Sequence, residues 1–379
     1  MTNGVRHRVE FLKMRRLVVI LVFGFGIFSV SAQQPIIPPE IALLWEQALA
    51  QPQDFAVACA PVDTPWEGVL YNADSAFPLA SVSKLLIYLE YARRIDTGLM
   101  SYSDVVSASI LDRYNLPRTD RGAHDRFMET YAPGTQVLSL WEVAGDGMIQ
   151  YSSNAASDYM LDRMAPIDWS WLYTSLALSS TSPPHSLTMI PLLMNNHLDG
   201  QATLDNLDGL SIEQGEEYLN LYVQDEAWRQ AEIDYRSERR RSFPPWPVQA
   251  AILQRHTAVG SARDFLTVMD AVYGSGLTFS ENVKSMTRTA LRWTENAYIN
   301  NNYVEYGSKL GFYSGGVLTL VAYGQPFNGI PVISVTFLRN IPQAMYRDML
   351  DEDSIGNFAH WLNFNGCGAL DTLLTLSFG

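Results

Sequence analysis

The sequence predicts an α+β fold: one antiparallel sheet formed from both chain ends, packed by helices, with a largely helical lobe inserted. Three observations predict it. Strand-patterned runs lie at about 55–72 and again at 303–338. Between about 81 and 298, apolar residues recur mostly at helical spacing. No internal repeat offers a solenoid instead. At 379 residues, 47% hydrophobic and 17% charged, the chain can fold and bury a sizeable core.

The first segment reads as a targeting signal. Arg6, Arg8, Lys13, Arg15 and Arg16 precede an apolar run, Leu17 to Val30, which ends in Val30-Ser31-Ala32. Basic, apolar and small-residue parts in that order read as an export signal, residues 1–32, cut after Ala32. The alternative is a retained anchor, although the run is short of a comfortable bilayer span. Cleavage removes five basic groups and Glu10, taking the net charge from −14 to −18. So acidic a chain is a poor partner for nucleic acid or an anionic membrane. The basic cluster Arg236, Arg239, Arg240 and Arg241 is diluted by Glu232, Asp234 and Glu238 and reads as a solvated helix end. Cys59 and Cys367 are either a disulfide that export permits or two buried thiols. Neither they nor the six scattered histidines have metal-ligand spacing, and no cofactor is implied.

Next come a helix at Glu40–Leu49 and short strands at Phe55–Ala60 and Gly68–Tyr71. Helices follow at Val137–Met148 and Ala155–Met164, flanking the loop Gln150 to Asn154. A looser stretch, Ser179–Gly209, precedes one long polar helix from Ile212 to Arg241, broken by Phe243-Pro244-Pro245-Trp246-Pro247. After a helix at Ala262–Val272, strands at Tyr303–Leu310, Val317–Tyr323 and Val332–Leu338 return, and Asp353–Leu362 is helical.

The stretch Pro78 to Gly98 carries the chemistry. Leu85, Leu86, Leu89 and Ala92 give it a buried face, Pro78 delays its start to near Ser81, and Gly98 stops it. Ser81 and Lys84 then lie one turn apart at the positive end of the helix dipole. A desolvated lysine there loses its proton more readily and becomes a base beside a nucleophile. Lysine usage sharpens the point: the chain holds only Lys13, Lys84, Lys284 and Lys309 against a large excess of arginine. Arginine stays charged, whereas lysine can be tuned.

Two further motifs follow, Ser152-Ser153-Asn154 on a loop between helices and Lys309-Leu310-Gly311 on a strand before Gly315-Gly316. With Ser81-Val82-Ser83-Lys84, in this order and context, they resemble the motif set of active-site-serine β-lactamases and penicillin-binding proteins. Met148-Ile149 and Ala156 around the middle motif look most like the class A β-lactamase branch. The resemblance spans most of residues 33–379, apart from an insert at about 168–255. It implies a secreted or periplasmic serine acyl hydrolase. Ser81 would form an acyl-enzyme with a β-lactam or related amide, with Lys84 as base and Ser152 as proton shuttle. Asn154 would orient Lys84 and the substrate amide, and Lys309 would hold a substrate carboxylate. Ser81 and Phe312 N–H groups would face the oxyanion, with Gly311 beside them.

Three departures follow. Leu310 stands where Thr or Ser is usual, and Ser153 where Asp is usual. The glutamate that frees class A enzymes has no counterpart, since no acid lies between Asp168 and Asp199. His185 is a candidate replacement. A D-alanyl-D-alanine carboxypeptidase with slow deacylation therefore stays open beside the lactamase reading. So does a non-catalytic relative that binds cell-wall fragments or a protein.

Overall fold

The computed structural model describes residues 37–238, 243–293 and 296–378. The export-signal reading, and Arg239 to Arg241, lie outside them. Strands β1 (Phe55–Pro61), β2 (Val69–Tyr71), β3 (Tyr303–Tyr313), β4 (Val317–Pro326) and β5 (Val332–Leu338) form one antiparallel sheet, ordered β2-β1-β5-β4-β3. Both chain ends supply it, as the strand patterning predicts.

Its two faces sort by the period of two that a strand imposes. Ala56, Ala58, Ala60, Val321, Val335 and Phe337 face the helical lobe. Phe55, Val57, Cys59, Leu318 and Leu320 face a second core under the terminal helices Ala42–Ala50, Ser354–Asn365 and Cys367–Phe378. Trp45 fills that core and donates its indole N–H to Ser377 Oγ at 3.1 Å. Cys59 is disulfide-bonded to Cys367, tying β1 to the last helix. Sequence alone left that pairing open.

Four local expectations need correction. Val137–Ser139 is a strand paired with Val105–Ser107, because Ser139 and Glu142 form a capping box that starts the helix only at Leu140. From Val143 to Gln150 that helix widens to π geometry. The predicted 212–241 helix is two, Ile212–Gln224 and Glu226–Glu238. Asp225 divides them, its carboxylate accepting from Ala227 and Trp228 N–H as a cap. Arg236 is no solvated end: it is buried, bonded to Glu232 at 2.6 Å and to Pro191 and Asn195 carbonyls.

Candidate active site

The chain turns sharply before Ser81. Ala80 adopts a left-handed φ of +47°, a strained geometry for a residue with a Cβ. A 3-10 turn, Ala80–Ser83, then runs into the helix Lys84–Asp96. Hydrogen bonds hold the turn from both sides. Ser83 Oγ donates to Ala80 O at 2.7 Å, and Thr319 Oγ1 on β4 donates to Leu79 O at 2.8 Å. From Phe77 to Ala92 every residue is buried except Ser81. The serine is the one point in that stretch that a substrate can reach.

Lys84 is fully buried, and its Nζ donates to three oxygens of the middle motif. They are Ser152 O at 2.5 Å, Asn154 Oδ1 at 2.9 Å and Ser152 Oγ at 3.3 Å. Lys309 reaches the same group from β3, donating to Ser152 Oγ at 2.9 Å. Three segments far apart in sequence thus meet at one hydroxyl. Burial lowers the Lys84 pKa to about 7, against the opposing pull of Asp120 and Asp158. Burial also pushes Lys309 well below its ordinary value, and the nearby Lys84 charge adds to the shift. The third described lysine, Lys284, instead donates to Gly274 and Gly276 carbonyls and to Glu281, away from these groups.

The loop bearing Ser152 is itself a built feature. Ser152 follows the π turn with φ +64°. Ser153 caps the helix Asn154–Met164 through Ala156 N–H, and its hydroxyl pairs with His124 Nδ1 at 3.0 Å. Ser153 in place of Asp therefore still shapes the loop. Gly311 brings the edge strand β3 against the serine turn. A Cβ there would sit 2.8 Å from Ser81 N and Leu79 O and 2.5 Å from Thr319 Oγ1, so only glycine fits. Phe312, next along, is half-buried beside the opening. Leu310 turns to the outer side and lines a cavity with Tyr306, Leu320 and His360.

Sequence reasoning missed Asp120, His124, Asp158, Glu216 and Thr319. Asp158 lies one turn after Asn154, a visible signal. It is buried, accepts from Leu187 N–H at 2.7 Å and Thr188 N–H at 2.9 Å, and burial raises its pKa to about 6. It anchors the loop in which His185 lies. Glu216, from the insert, accepts from Ser186 N–H and Oγ. His185 lines a cavity of about 10 Å³ with Ala80, Ser83 and Tyr313, and burial lowers its pKa. Among the described residues no group of His, Cys, Asp or Glu is placed to hold a metal ion. No described helix is long and apolar enough to cross a membrane.

A model of the Beta-lactamase enzyme family matches residues 46–340. No curated protein sequence matches the chain. Among solved structures, a β-lactamase from Sphaerobacter thermophilus is similar at TM-score 0.52 and 15% identity, over 84% of this chain and 94% of that one. A β-lactamase from Chitinophaga pinensis gives 0.48 and 16%, over 80% and 92% of the two chains. PBP-A gives 0.46 and 16%, over 86% and 98%.

Proposed function

The chain belongs to the beta-lactamase enzyme family, and from that premise we propose that it is an exported serine acyl hydrolase. Ser81 attacks an amide carbonyl, most simply that of a β-lactam. Neutral Lys84 takes the hydroxyl proton as the Ser81 Oγ–carbon bond forms. Ser152, bonded to both lysines, then passes a proton to the departing nitrogen as the amide bond breaks. Lys309 donates to a substrate carboxylate, whose own negative charge favours the ammonium form that burial disfavours in the free site. The Ser81 and Phe312 N–H groups stabilise the oxyanion, each worth about 3 kcal/mol in such sites. The observation that carries the reading is the convergence of Lys84 and Lys309 on Ser152 Oγ, at 3.3 and 2.9 Å, with Lys84 three residues after Ser81, the one accessible residue of its stretch.

A second reading is favoured by one feature. The loop from 177 to 188 contains no carboxylate, so the acyl-enzyme should be long-lived, as a carboxypeptidase of the penicillin-binding type would leave it. Incubation with benzylpenicillin should add one penicilloyl mass to Ser81 and none to Ser81→Ala. A wild-type chain that stays unmodified and leaves the penicillin intact would overturn both readings and favour a ligand-binding relative. Release of D-alanine from a peptide ending in D-alanyl-D-alanine separates the second reading from the first. The apolar run at Leu17–Val30 supports export, by the sequence pattern alone.

A further inference from the structure

A cleft of about 340 Å³ opens from Asn154 and Phe312 and runs outward under the insert. Its walls are aromatic. Trp246, the first residue of an insert helix, packs edge-on against Tyr346 with ring centroids 5.1 Å apart and donates its indole N–H to Ile341 O. Its rim is cationic: Arg118, Arg121 and Arg347 line it and are exposed. Arg121 stacks over the Phe312 ring at 5.4 Å, which leaves the edge of its guanidinium fork free. Among the described residues no carboxylate forms an ion pair with any of the three. Asp351, one turn beyond Arg347, is the acid on the same rim. Three cations therefore face one acid, in a chain whose net charge is −14. Fields beyond about 8 Å are screened at physiological salt, so a ligand in the cleft meets this local excess of positive charge.

We propose that this cleft is a subsite for a carboxylate at the far end of the substrate's acyl substituent, read by Arg118, Arg121 and Arg347. The inference rests on the acyl-transfer reading, because the cleft begins at groups that would flank the scissile amide. The substrate class is then an amide with two anionic ends. One carboxylate lies at Lys309, and the second is carried across an apolar floor to the arginines. Guanidinium forks suit a planar carboxylate, and the aromatic walls suit the chain between.

The test compares 5-carboxypentanoylpenicillin with hexanoylpenicillin, whose acyl chains differ only in ending in a carboxylate or a methyl group. Ser81 acylation rates are read by intact mass. Wild type should favour the carboxylated compound about tenfold, as several partly exposed ion pairs acting together would give. In the variant R118Q/R121Q/R347Q that ratio should fall to about one, and high salt should lower it in wild type. Equal ratios in both proteins overturn the proposal. If neither penicillin acylates Ser81, the acyl-transfer reading has failed and a second measurement decides the subsite. Adipic acid monoamide is titrated into Ser81→Ala by tryptophan fluorescence, with and without the three Gln substitutions. Loss of about fivefold or more in affinity upholds the subsite, and equal affinity removes it.

Discussion

The two sides of the Ser81 turn are unequally equipped. On one side, Lys84, Ser152, Asn154 and Lys309 form a continuous set of hydrogen bonds, and Lys84 is buried enough to lose its proton near neutrality. On the other side lies the loop anchored by Asp158, where His185, Ser186 and Leu187 approach Ala80 and Ser83 without a carboxylate among them. On the proposed reading, the difference teaches that groups suited to forming an acyl-enzyme can be present where no group suited to hydrolysing one has been assigned. The first set comes from three short motifs, whereas the facing loop carries no carboxylate between 177 and 188.

The contrast can be broken or sharpened by substitution. Lys84→Met should have the largest effect, slowing acylation by about 10²–10⁴, the usual share of a general base. Stopped-flow loss of the β-lactam absorbance measures it, and a smaller drop would mean the buried amine is not the base. Next is pH. Lys84 must be neutral to act, so the acylation rate should rise with pH through about 7 and level above it. A rate that falls across that range would assign the base to another group.

Asp158→Ala should destabilise the protein by about 2–3 kcal/mol in urea unfolding, because two buried N–H groups lose a charged acceptor. Hydrogen exchange should localise the loosening to the 183–188 loop and spare the Ser152 side. His185→Gln should have the smallest effect, lengthening the life of the acyl-enzyme by well under the ~100-fold that a positioned base supplies. A lengthening of that size or more would make His185 the missing base and erase the contrast.

What could be read from the sequence follows the range of the interactions. The sheet was legible because strand patterning is local and both ends carry it. The meeting of Lys84, Ser152, Asn154 and Lys309 could be anticipated because each motif is a short run whose residue types chemistry restricts. Thr319 was not: its bond to Leu79 depends on β3–β4 register, which places it opposite Gly311. Glu216 was hidden for a similar reason, since it reaches Ser186 only through the packing of an insert helix 30 residues away. The break at Asp225 was missed although its signal was present. An Asp followed by Glu226 is a helix start, and continuous polar patterning masked it.

The most direct test of the central claim is the lifetime of the Ser81 adduct. The protein is mixed with a slight excess of benzylpenicillin, free drug is removed, and intact mass is followed with time at neutral pH. The account predicts stoichiometric acylation within seconds to minutes and a penicilloyl mass that persists for minutes or longer. Acylation that never accumulates, while the β-lactam is destroyed over many turnovers, would contradict it by revealing an effective deacylation base on the side where none has been assigned.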